Sequence, residues 1–580
     1  SGYKPREFDP RCGFFDVSFM DYASPVGDPV LKHWIVRHRL QKKDPSAAVS
    51  DPVEPIVYYV DPGAPEPVRS ALVEGAQWWN QAFEAAGYRN AFQVKILPPE
   101  ADPMDVRYNT IQWVHRSTRG WSYGNTVVDP RTGEIIKGHV TLGSLRIRQD
   151  YLIAEGLLAP YEEGKPVPPD MLNMALARIR QLAAHEVGHT LGLSHNYIAS
   201  TAGRASVMDY PQPLVQIRKD GTFDLTQAYA VGIGEWDKVT IAYGYQDFPE
   251  GADTAAKLNS ILKDAMSRGL IFLTDQDARP PGSAHPRTHL WDNGANAVDE
   301  LAHILEVRRL ALSRFSEKNI RVGAPLATLE EALVPIYLYH RYQIDAVSKV
   351  LGGVEYTYAL RGDGQKPLQI VTPEEQRRAL DALLKTLGPE TLALPESLLR
   401  LIPPHPSGYD RTNEVFALHT GMTFDPLSAA ETAADMAVQM ILQRERAARL
   451  VEYHARGARY PGLDEVAARL VSATWKAPHG DGYQAEIRRT VDTLVLSRLM
   501  GLAADTAASN SVRAVATAQI ESLRAWLIKQ SSVTTDSLQK AHYQYALAQI
   551  KLFQEDPKKV TLTAPAQPPA GPPIGSDDFE

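Results

Sequence analysis

The run His185-Glu186-Val187-Gly188-His189-Thr190-Leu191-Gly192-Leu193-Ser194-His195 constrains this chain more than any other stretch. Two histidines four residues apart stand one above the other on a helix face, a pair that chelates a metal ion. Cys12 is the only cysteine in 580 residues, so a multi-cysteine site is excluded and any ion must be held by histidines and carboxylates. Neutral imidazoles suit Zn²⁺, and a catalytic zinc takes three protein ligands with a fourth position open to water. His185, His189 and His195 supply the three. Gly192, free of a Cβ, lets the chain leave the helix through a left-handed turn and bring His195 back. Glu186 sits beside His185 but off its line, placed to take the proton of the activated water. The competing reading is an amphipathic helix with stray histidines, yet apolar core helices rarely hold three histidines and a glutamate without partners.

Composition bounds the rest. A hydrophobic fraction of 44% with 22% charged residues leaves ample surface to bury, as expected of a globular protein of several domains' size. Lys and Arg number 61 against 69 Asp and Glu, a net charge of -8 without a compact basic cluster, which excludes a nucleic-acid binder working through a basic face. No apolar run reaches the roughly 18 residues of a membrane span. The opening Ser1-Gly2 reads as a remnant of cloning, so a natural leader or upstream domain is expected to have been removed. Residues 1–50 read as a lead-in or pro-like segment, ending in the turn-rich KKDPSAAVSDPVEP. From Pro55 the pattern is strand (56–60), helix (65–86, with Trp78 and Trp79 in its core face) and strands (92–97, 110–114), then a hairpin (126–128, 135–142) around DPRTGE. A helix over 171–191 carries the histidines, and 234–243 forms a last helix. The predicted fold is thus a mixed α/β, α+β zinc-hydrolase domain over 51–245. It is followed by a large, mostly α-helical domain over 246–560, where Ala/Leu/Arg-rich patterns alternate with Pro/Gly loops, and by a Pro-rich flexible tail over 561–580.

Ser206-Val207-Met208-Asp209-Tyr210-Pro211 follows the histidine run. HExxHxxGxxH with such a methionine turn resembles the metzincin clan of zinc endopeptidases. By that resemblance Met208 stands at the Met-turn, and Tyr210 matches the tyrosine that astacins and serralysins hold near zinc as an extra ligand or transition-state donor. A packed aromatic with its hydroxyl satisfied elsewhere is the other reading of Tyr210. Asp209 and Asn196 depart from the clan's usual residues. The segments YYVDPGAP, DPRTGEI, HEVGHTLGLSHN, DARPPGSAHP, LWDNG and HRYQIDAV are similar to a bacterial family of exported zinc-dependent metalloproteases of mostly uncharacterised domains. The resemblance implies one catalytic Zn²⁺, a peptide or protein substrate, and a periplasmic or extracellular location; it establishes no Ca²⁺ site and no oligomeric state. Two alternatives stay open: a zinc hydrolase of non-peptide amides, and a partner-binding scaffold with a vestigial zinc site.

Pro10-Arg11-Cys12-Gly13-Phe14-Phe15-Asp16 is similar to the cysteine switch of matrix metalloproteinase propeptides, with Phe15 in place of a proline. A Cys12 thiolate would fill the open position on zinc and hold the enzyme latent, with Arg11 and Asp16 pairing to fix the loop. Alternatively Cys12 is a small buried residue of a structural stretch. Asp275, Asp277, Asp292, His285 and His289 crowd a Pro/Gly-rich stretch and read either as a second metal site or cleft rim, or as a solvated loop with structural Arg–Asp pairs. Thr126 to Val128 is a candidate edge strand for pairing with an extended peptide.

Overall fold

The computed structural model describes residues 2–115, 122–562 and 565–570. Two hairpin strands open the chain, β1 (Asp16–Met20) and β2 (Leu31–Ile35), antiparallel with Ser18 opposite His33. The main sheet comprises β3 (Arg37–His38), β4 (Ile56–Val60), β5 (Phe92–Ile96), β6 (Asn109–Val114), β7 (Tyr123–Val128) and β8 (Glu134–Gly143). Its order is β3-β8-β6-β4-β5 with every pair parallel, while β7 runs antiparallel along β8 with Gly124 opposite Val140. A parallel strand inside a sheet is covered on both faces, which is why IVYYV reads as a continuous apolar run.

Helices α1 (Val68–Gln77) and α2 (Trp79–Ala85) occupy the span expected as one helix and put Trp78 and Trp79 in the core. A helix that the periodicity did not suggest, α3 (Leu145–Leu158), leaves β8 directly. It is buried on several sides, so it carries no clean amphipathic stripe. The histidine helix α4 (Asp170–Thr190) follows, with Asp170 in its first turn complementing the helix dipole. Then come α5 (Glu235–Tyr245) and α6 (Thr254–Ser267), and beyond them a set of helices running to residue 555. The patterns over 327–350 and 427–456 each resolve into two helices.

α4 belongs to both cores. Leu176, Ile179, Leu182, Ala183 and Val187 pack with the sheet and α1, whereas Met171 and Met174 join the core of the helical half, which extends from Ile153 to Ile550. The two halves therefore share the element that carries the site. The expected lead-in is also built into the sheet half: β3 pairs β8, Cys12 and Phe14 are core residues, and residues 13–15 pair with the turn after α4. Of the expected flexible tail, the described part packs on the helices, with the Pro569 carbonyl accepting from Arg341 at 2.8 Å and the Ala570 amide donating to Asn413 at 2.9 Å; residues 571–580 lie outside the described ones. Among the described residues no helix is long and apolar enough to cross a membrane.

α4 ends as Gly192 takes φ +98°, and a Cβ there would stand 1.8 Å from the Val36 carbonyl oxygen. Both the backbone conformation and the space require glycine. Gly192→Ala is expected to lower unfolding free energy by about 3 kcal/mol or more, read from denaturant midpoints; an unchanged midpoint would contradict the packing of this turn.

Candidate metal centre

His185 and His189 lie one turn apart on α4, and the chain reversal at Gly192 returns His195 to them. The Nε2 atom of His189 is 3.1 Å from Nε2 of His185 and 3.1 Å from Nε2 of His195. Each ring is held by its other nitrogen. The Nδ1–H of His185 donates to the Val207 carbonyl at 2.7 Å, that of His189 to the Leu193 carbonyl at 2.8 Å, and that of His195 to the Asp275 carboxylate at 2.9 Å. With the Nδ1 protons directed outward, three Nε2 lone pairs converge on one point. Burial and their mutual proximity hold His185 well below the usual histidine range, and burial pushes His189 down to about 3. Neutral imidazoles cannot bridge all three gaps with protons they do not have, whereas a cation satisfies every lone pair. Nitrogens on a tetrahedral zinc stand about 3.3 Å apart, so the spacing fits that ion. Among the described residues this is the only group of three or more His, Cys, Asp or Glu able to hold a metal.

Asp275 is the part of the site that sequence distance hid. It opens a short helix, α7 (Asp275–Ala278), 80 positions beyond His195. Burial raises its carboxyl, but the hydrogen bonds and charges of His195 and Arg279 outweigh that and hold it below the usual carboxylate range. Arg279 also donates to the Tyr197 hydroxyl at 2.7 Å and to the Tyr210 hydroxyl at 3.3 Å. Tyr197 stacks on His195 at 4.9 Å between centroids, and Tyr210 lies 4.8 Å from His195 and 5.1 Å from His185. Tyr210 thus edges the histidine group, its hydroxyl anchored by Arg279 and its pKa raised by burial. No motif signals Tyr197 or Arg279; the carboxylate–histidine pairing common around metals was the one usable clue for Asp275.

Glu186 is 4% exposed, and its carboxyl takes a hydrogen bond from the Gly124 amide of β7. Burial pushes its pKa up to about 8 against the pull of Arg146 and Arg178. Met208 lies beneath α4: a Cβ on Gly188 would come within 2.2 Å of its sulfur, so a side chain at 188 would push the Met208 side chain out of place. Asp237 of α5 holds that turn, accepting from the Ser206 hydroxyl at 2.6 Å and the Val207 amide at 2.9 Å. The Asn196 amide N–H donates to the Met208 carbonyl at 3.0 Å, and its side chain reaches Ile271, which fixes the loop carrying His195.

Cys12 is not with the histidines. Its thiol lies in the sheet-side core, fully buried and pushed up to about 12 by burial, where it is no thiolate ligand. Arg11 does not pair with Asp16 either. It pairs with Asp9 at 2.7 Å, while Asp16 meets His33 at 2.6 Å. What the segment does is brace the metal loop: the Phe15 amide donates to the Gly192 carbonyl at 2.8 Å and the Ser194 amide to the Gly13 carbonyl at 2.9 Å. The remaining candidates separate as well. Asp277 accepts from Tyr356 and Tyr358, His289 meets Lys349 at 2.8 Å, His285 meets Thr288 at 2.9 Å, and Asp292 is buried beside Asp209. The strand expected over 126–128 is the outer, antiparallel β7.

Residues 168–481, more than half of the chain, match the family described as Met-zincin, and residues 1–43 match a domain of unknown function. The chain belongs to the Met-zincin family, a class of zinc metallopeptidases. No curated protein and no solved structure matches it.

Asp275→Ala removes the acceptor of His195 Nδ1–H and is expected to weaken zinc binding about 10- to 100-fold, measured by chelator competition. Unchanged affinity would show that His195 needs no such partner.

Proposed function

We propose that the protein is a zinc-dependent metalloendopeptidase in which His185, His189 and His195 hold one Zn²⁺. The supporting observation is the convergence of three lone-pair-bearing Nε2 atoms, that of His189 lying 3.1 Å from each of the other two, with each ring tied through Nδ1 to its own acceptor. Bound there, zinc would supply a Lewis acid for the scissile carbonyl and acidify a water at neutral pH. Glu186 would be the group that takes a proton from an attacking water and hands it to the leaving amine; its buried setting, about 8 in pKa without a cation, is one in which a nearby positive charge would restore the carboxylate. Tyr210, kept protonated by burial and steered by Arg279, donates to the oxyanion. β7 offers main-chain hydrogen bonds to an extended peptide, since its outer edge has no strand partner among the described residues. That edge favours a peptide over small non-peptide amides. A scaffold with a vestigial site leaves the buried Glu186 carboxyl without a purpose. Export to the periplasm or beyond belongs to this reading on the family resemblance alone.

Glu186→Gln is expected to keep zinc at one ion per chain by elemental analysis while casein cleavage falls about 10²- to 10⁴-fold; a variant that cleaves at the original rate would remove Glu186 from the mechanism.

A further inference from the structure

Beside the metal centre two arginines are buried without an ion-pair partner among the described residues. Arg178 precedes His185 by seven residues, two turns back on the same face of α4. Its guanidinium lies 5.6 Å from the centre of the Trp291 ring, Trp291 lies 4.8 Å from Tyr210, and Tyr210 5.1 Å from His185, so one aromatic wall runs from the histidines to Arg178. Arg146 enters from the first turn of α3, within electrostatic reach of Arg178, Tyr210 and Glu186. The two are 2% and 6% exposed. Arg178 donates to the Gln181 side-chain carbonyl, but its Nε has no acceptor; Arg146 has none for Nε or Nη1.

The neighbouring acids do not balance them. Asp150 accepts from Tyr229 at 2.5 Å, leaves its other oxygen unbonded, and forms no ion pair with either arginine. The Glu186 carboxyl takes its hydrogen bond from the Gly124 amide and, like Asp150, forms no ion pair with either arginine. A buried guanidinium without an anion is costly, and its fork of donors matches a carboxylate.

We propose that Arg146 and Arg178 form a carboxylate-recognition site for the substrate beside the scissile bond, taking either an Asp or Glu side chain or the free C-terminus of the peptide. The proposal rests on the peptidase reading and names the substrate class that reading leaves open. An acid there completes the hydrogen bonding of both arginines, whereas an amide of the same shape leaves them charged and unpaired.

The test uses the zinc-loaded full chain and matched peptides carrying Glu or Gln at the positions flanking the cleaved bond, each with a free or an amidated C-terminus. The expected result is a kcat/KM at least about tenfold higher for a carboxylate-bearing peptide than for its amide, the scale of a charged hydrogen bond. Preference for Glu irrespective of the terminus assigns the side chain; preference for the free terminus assigns the carboxyl end. The acid-to-amide ratio should collapse toward one in Arg146→Gln and Arg178→Gln and be partly kept in Arg146→Lys. Equal rates on all four peptides in the unmodified protein would overturn the proposal, even where a variant fails to fold, as would a preference that survives both glutamine substitutions. Binding of the same peptides to Glu186→Gln by calorimetry separates the two levels. If nothing is cleaved yet the acidic peptide binds about tenfold tighter than its amide, the carboxylate site stands and the peptidase reading falls.

Discussion

The site depends on one reversal of the chain. Between His189 and His195 the backbone must leave α4, turn within three residues and return an imidazole to the helix it has just left. Gly192 makes the turn possible, and the turn is then held from outside: Val36 fills the space a side chain would need, and residues 13–15 pair with 192–194 as a short antiparallel ladder. A loop free to move would pay the ordering entropy each time a metal bound. Here the sequence-distant N-terminal segment has already fixed it.

Around that loop the polar groups form layers with opposite tasks. The inner layer is three imidazoles whose lone pairs repel unless a cation lies among them. The next layer, Val207, Leu193 and Asp275, sets each tautomer by accepting the Nδ1 proton. Asp275 is in turn held by Arg279, which also orders the hydroxyls of Tyr197 and Tyr210. Because Met171 and Met174 at the start of α4 lie in the helical core, the helical half both supplies α7 and anchors the site's main helix. Its role is thereby partly structural, whatever else it binds.

Local signals were legible and remote ones were not. The spacing HExxHxxGxxH contains both the helix that aligns two histidines and the glycine that returns the third, so the sequence carries the geometry of that group within eleven residues. The strands at 56–60, 92–97 and 110–114 were readable from short runs rich in β-branched and aromatic residues, IVYYV most clearly. α3 was missed because a helix contacted on several sides loses its periodic stripe. Asp275 was noticed only as one acid in a crowded loop, since nothing in a one-dimensional pattern joins it to His195. Cys12 misled for the converse reason: its neighbours resemble a latency motif, but Arg11 has a nearer partner in Asp9, and the packing of Phe14 and Phe15 on the metal loop turns the thiol into the core. Arg178 falls at helical spacing from His185, yet a lone arginine on a core-facing stripe gives no sign of being unpaired until Asp150 and Arg146 are placed around it.

X-ray absorption at the zinc edge on the purified full chain tests the central claim most directly. Three nitrogen scatterers at about 2.0–2.1 Å, a remaining light-atom ligand and no sulfur near about 2.3 Å is the predicted signature. A sulfur shell would put Cys12 on the metal, and a protein that takes up no zinc at all would contradict the account of the three histidines.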